Sequence, residues 1–63
     1  MKKYCVCVKF VTLYTGEEEN RVDFTDSREG ALGAFALYLE NPEVAFATVT
    51  DTRAGKLIAF YRP

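Results

Sequence analysis

Residues 21–42, RVDFTDSREGALGAFALYLENP, change their periodicity once and then stop, and those two events decide the fold. Arg21-Val22-Asp23-Phe24-Thr25 alternates polar and apolar, the period of a strand with one wet face. Asp26-Ser27-Arg28-Glu29 follows, with a short acceptor side chain and a glutamate three residues on, the pattern of a capped helix start. Ala31, Leu32, Phe35, Tyr38 and Leu39 then fall on one broad face at 100° per residue, the stripe expected to pack on a sheet. The helix carries on to Glu40 and stops at Asn41-Pro42, because proline cannot continue a helix and pushes its predecessor out of the α region.

Outward toward the N-terminus, Lys3 to Thr15 is rich in β-branched, aromatic and sulfur-bearing residues, which predicts a long strand. Thr15-Gly16-Glu17-Glu18-Glu19-Asn20 reads as a solvated turn, so this strand and Arg21–Thr25 form a hairpin. Toward the C-terminus, Glu43 to Asp51 alternates again, with Val44, Phe46 and Thr48 on one side and Ala45, Ala47 and Val49 on the other. Thr52-Arg53-Ala54-Gly55 supplies a turn whose glycine suits positive φ, and Lys56 to Arg62 is the last strand. The expected fold is a single α+β domain over residues 1–63. It is a four-stranded antiparallel sheet in the order β-β-α-β-β, with one helix packed on one face.

One helix covers only one face of such a sheet, yet the first strand looks apolar on both. One side carries Tyr4, Val6, Val8, Phe10 and Tyr14, and the other Cys5, Cys7, Val11 and Leu13, interrupted by Lys9. The last strand sets Leu57, Ala59 and Tyr61 against Ile58 and Phe60. Antiparallel sheets with a wet face alternate cleanly, whereas two apolar faces belong inside a sandwich. The second face is therefore expected to be buried in a homo-oligomer, a dimer in the simplest case, with Val8, Phe10, Leu37, Ile58 and Phe60 at the interface. Leu37 is included because it projects away from the core stripe beside Gly30, Gly33, Glu29 and Glu40. Two glycines early in the helix mean either slack or the close approach of another subunit or ligand.

Composition narrows the function classes. At 49% hydrophobic and 27% charged the chain is ordinary globular usage, and no apolar run approaches the roughly 18 residues a membrane span requires. A formal charge of −1 denies it the overall positive field of a non-specific nucleic-acid binder. The residues after Met1-Lys2-Lys3 lack a signal-peptide pattern, so the cytoplasm is the expected compartment. Cys5 and Cys7, two apart in a strand, have Cα atoms about 6.5–7 Å apart, near the limit for a disulfide, and read as buried free thiols acting as small apolar residues. With two thiols and no histidine, neither a metal site nor a catalytic proton carrier is expected, and the solitary serine, Ser27, is explained by capping. Glu17–Glu19 lack the pattern of a calcium loop. No enzyme activity and no cofactor are expected.

Binding fits better. Arg28, Arg53, Lys56 and Arg62 are candidate anion contacts, with Tyr61 as an aromatic partner, and together they would suit a nucleotide-like ligand. In layout, with its hairpin, capped helix ending at Asn41-Pro42, and closing hairpin turned by Asp51–Lys56, the chain resembles the small β-β-α-β-β proteins of phages and mobile elements. That resemblance implies a host-defence antagonist that masks a protein target or sequesters a nucleotide signal. The alternatives are a small nucleic-acid-binding module and a structural subunit of a larger assembly.

Overall fold

The computed structural model describes residues 2–63; Met1, part of the expected domain, lies outside the described residues. Its elements are β1 (Tyr4–Val11), β2 (Glu18–Thr25), α1 (Arg28–Tyr38), β3 (Val44–Asp51) and β4 (Lys56–Tyr61). They form the expected four-stranded antiparallel sheet with one helix, in the spatial order β2-β1-β3-β4. β1 pairs antiparallel with both β2 and β3, so the connection through α1 passes over the central strand and presses the helix onto it. Helix and sheet close around Val6, Val8, Val44, Val49, Ala31 and Ala47. Among the described residues no fully buried side chain is larger than valine. Tyr4, Phe10, Leu32, Phe35, Tyr38, Leu39 and Tyr61 pack around this centre while staying partly exposed.

Several boundaries differ from the sequence reading, each for a local reason. β1 ends at Val11 rather than Thr15, because Thr12 closes a loop: its Oγ1 accepts from the Glu17 amide at 3.1 Å, and its amide donates to the Glu17 carbonyl at 2.9 Å. Gly16, at φ 73°, supplies the left-handed residue. Leu13 and Tyr14 are left on the exposed loop tip, and Glu18 to Asn20, read as turn, are the first residues of β2. The helix cap is Ser27, one residue later than the Asp26–Glu29 pattern suggests. Ser27 Oγ accepts from the Gly30 amide, and the Ser27 amide donates to Thr25 Oγ1. At the other end the last helical residue is Tyr38, and tighter turns carry the chain through Pro42 into β3.

The two helix glycines have separate explanations. A Cβ on Gly30 would stand 3.2 Å from Thr25 Oγ1, so the close approach is made by the chain's own strand-to-helix turn. Gly33 meets nothing within 4 Å. The turn glycine behaves as expected: Gly55 has φ 63°, while Asp51 Oδ1 accepts from the amides of Arg53 and Ala54.

Two β-bulges reassign side chains to faces. Lys9 pairs with Phe46 but Phe10 pairs with Val44, so Ala45 is the extra residue and Val44 joins the core instead of sharing the face of Phe46. Val49 pairs with Ala59 but Thr50 with Leu57, so Ile58 is extra. Ile58, Ala59 and Tyr61 then pack on the core, and Leu57 moves to the side of Phe60.

These contacts set two stability expectations measurable by urea unfolding. Ser27→Ala removes the cap and lowers stability by about 1 kcal/mol. Gly33→Ala, in open space inside a helix, raises it by about 0.5–1 kcal/mol; a decrease would show that something does pack against that position.

Candidate interaction surface

The face of the sheet away from α1 is built by pairing rows, two crossing all four strands and one crossing three. One row is Phe24, Cys5, Thr50 and Leu57; the next is Val22, Cys7, Thr48 and Phe60; a third is Asn20, Lys9 and Phe46. Residues opposite one another in an antiparallel pair share a face, so these rows form one surface. Its large apolar members are half-exposed, from 43% for Phe46 to 61% for Phe60, with Val22, Phe24 and Leu57 between. Cys7, Lys9, Asn20, Val22 and Phe46 help line an apolar hollow of about 300 Å³ on it. Lys9 Nζ reaches Glu18 Oε1 at 3.0 Å at the rim, so the one cation on these rows is paired.

β2 explains why this surface is so apolar. Val22 and Phe24 would face the helix if the strand followed the usual inside-apolar rule, but its register with β1 places them outward. Arg21 and Asp23 take the helix side instead, where Tyr38 Oη donates to Asp23 Oδ2 and stacks edge-on to Phe10 with ring centroids 5.9 Å apart. That hydrogen bond, with some burial, raises the Tyr38 pKa above its ordinary value, although Arg21 pulls the other way.

Of the five residues expected at an interface, Phe60 lies on this surface. Val8 is only 3% exposed and belongs to the core, because its side of β1 is the one α1 covers. Phe10 and Ile58 likewise pack against the core and not on the open face, Ile58 through its bulge. Leu37 is exposed, as expected, but on the outer side of the helix. Val22, Phe24, Phe46 and Leu57 were not foreseen, although the alternation of β2 already marked the first two as a pair.

The candidate anion contacts divide. Lys56, Asp51, Tyr4 and Thr25 form one pairing row, and Arg53 and Arg28 lie just beyond it in the turn and at the helix start. Arg53 lines a polar hollow of about 410 Å³ with Lys3, Tyr4, Asp51 and Ala54. Tyr61 and Arg62 are at the far end of β4, about 16 Å along the strand at 3.3 Å per residue, so the five residues do not form one site. Among the described residues no group of three or more His, Cys, Asp or Glu could hold a metal ion, and no helix is long and apolar enough to cross a membrane.

No known protein family, curated protein or solved structure matches this chain.

Cys5 and Cys7 are free thiols with their sulfurs 3.4 Å apart, but they are half-buried at the middle of the open face rather than buried, because their side of β1 is the one α1 leaves uncovered. Burial, and then the hydrogen bond with Cys7, push the Cys5 thiol up to about 11. Cys5 should therefore react slowly with iodoacetamide at pH 7–8, since the thiolate is the nucleophile. A folded-state pKa above the ordinary 9.0 means the folded chain holds that proton more tightly, so its stabilising contribution is intact below pH 9 and is lost as the pH climbs through 11. Urea midpoints measured from pH 8 to 11 should fall across that window, and Cys5→Ser should flatten the fall.

Proposed function

We propose that this protein is a non-catalytic binding domain that works by having its open sheet face covered with protein. The observation that carries the reading is the set of five half-exposed large apolar side chains, Val22, Phe24, Phe46, Leu57 and Phe60, presented as one surface. Contiguous apolar patches of several hundred Å² on a small domain mark association surfaces. The core supports the same reading: four valines and two alanines are a small centre for 63 residues, and burial of a second face against a partner adds the apolar area that one helix does not cover. Masking of a host-defence protein, the role implied by the layout resemblance, would use this surface.

A second reading attaches to the basic end of the sheet, where Lys3 and Arg53 line the 410 Å³ hollow. A small anion held there would appear as added mass in a native mass spectrum.

The main reading predicts that the purified 7.1 kDa chain sediments as a larger species at 100 µM, either with itself or with a co-purifying protein. Phe60→Glu, on an exposed edge-strand position, should return it to a folded 7.1 kDa monomer with an unchanged circular dichroism spectrum. Wild-type protein that stays monomeric and carries nothing would overturn the reading.

A further inference from the structure

The charges of this chain are sorted along its length. At the end of the sheet where β1 and β4 start and β2 and β3 finish lie Lys2, Lys3, Arg28, Arg53 and Lys56, five of the eight basic side chains. Asp26, Glu29 and Asp51 are the acids there, giving this end a formal +2, and Lys2 pairs with Asp26 at 3.6 Å. At the opposite end lie Glu17, Glu18, Glu19, Glu40 and Glu43, against Lys9 and Arg62, giving −3. Arg21 and Asp23, both in mid-strand, cancel and leave the net −1. The helix runs in the same sense, its positive dipole end among the cations and its negative end among the glutamates. The molecule is 37 Å long, so the two ends lie several Debye lengths apart at physiological salt and act separately.

Taking the open face as the association surface, as proposed above, we infer that its occupant is a second copy of this chain, stacked face to face with its strands antiparallel. Three observations lead there. First, each chain has one helix-covered face and one open face, so a pair closes the apolar surface and leaves no second face for further stacking. Second, the five apolar side chains expose on the order of 100 Å² each. A pair would bury about 1,000 Å² from them alone, the threshold for a specific interface. Third, the charge sorting chooses the orientation. A two-fold axis along the strands would set the like-charged ends against each other. An axis across the strands sets the basic end of each copy against the acidic end of the other, across sheets about 10 Å apart. The central row of Val22, Cys7, Thr48 and Phe60 then lies near the axis, and the product is an eight-stranded sandwich with a helix on each outside surface.

The test is sedimentation velocity from 1 to 200 µM in 20 mM and 500 mM salt, with two charge-reversed variants. Glu17→Lys/Glu19→Lys makes both ends basic, and Arg53→Glu/Lys56→Glu makes both ends acidic. All four side chains are exposed and free of ion pairs among the described residues. The expected wild-type result is a monomer–dimer equilibrium that weakens as salt rises. Each variant alone should dimerise at least about tenfold more weakly at 20 mM salt, and an equimolar mixture of the two should regain wild-type affinity as a heterodimer. Rescue by mixing also shows that both variants are folded. A dimer that tightens with salt, or variants that self-associate as well as wild type, would overturn the antiparallel pairing while leaving the open face as the association surface. A complex with a different protein, abolished by Phe60→Glu, would do the same. A monomer under every condition would overturn both.

Discussion

A single eleven-residue helix has to cover a four-stranded sheet, and the remaining features of the structure are consequences of that mismatch. Because β1 is flanked by β2 and β3, the helix that joins them is drawn over the centre of the sheet, and the fully buried positions collect where it lies. The helix sits close to the sheet, which is why its innermost residue is Ala31 and the strand positions beneath are valines and Ala47. Larger side chains are excluded from the centre and ring it: Phe35, Tyr38 and Leu39 from the helix, Tyr4, Phe10 and Tyr61 from the sheet. A core of this size leaves little margin, since the helix–sheet contact is the main apolar burial the chain has.

The same mismatch decides what happens at the edges. β2 is far enough from the helix axis that its helix-side positions can be Arg21 and Asp23, with Asp23 satisfied by Tyr38. Its apolar positions turn to the open face and meet Cys5 and Cys7 there. At the other edge the bulge at Ile58 performs a comparable switch, setting Ile58 and Ala59 over the core and returning Leu57 to the open side. Both edge strands thus contribute apolar side chains outward, and the open face is apolar across its full width rather than along one strand.

Much of this was legible in the sequence, and the parts that were not share a cause. Element order, the helix stripe and the left-handed glycine at 55 follow from local patterns that need no knowledge of neighbouring strands. The excess of apolar surface on β1 was equally plain. Which residues form that surface depends on register, and register depends on partners. Val8 and Phe10 are indistinguishable from Cys5 and Cys7 by composition, until pairing with Ala47 and Val44 places them under the helix. The bulges at Ala45 and Ile58 shift the alternation by one residue, which no period-two pattern signals. The early end of β1 is of the same kind, because a Thr12 side chain that captures the Glu17 amide outweighs the strand preference of Leu13 and Tyr14.

Charge sorting adds a constraint that the apolar surface alone lacks. Apolar contact is indifferent to direction, so a face of Val, Phe and Leu could slide or rotate against a copy of itself with little change in buried area. Hydrogen-bond partners do not fix the orientation either, since the hydroxyls within the two rows that cross all four strands are those of Thr48 and Thr50 alone. Long-range charge does have direction. With the cations at one end, the glutamates at the other and the helix dipole aligned with both, a wrong orientation is penalised at two places at once and a right one is favoured at two. The topology produces this polarity at little expense to the core, because most of the charged residues occupy turns and the ends of strands and helix, away from the buried valines and alanines. A small domain whose apolar face provides affinity can in this way draw its geometry from residues that contribute nothing to its own folding centre.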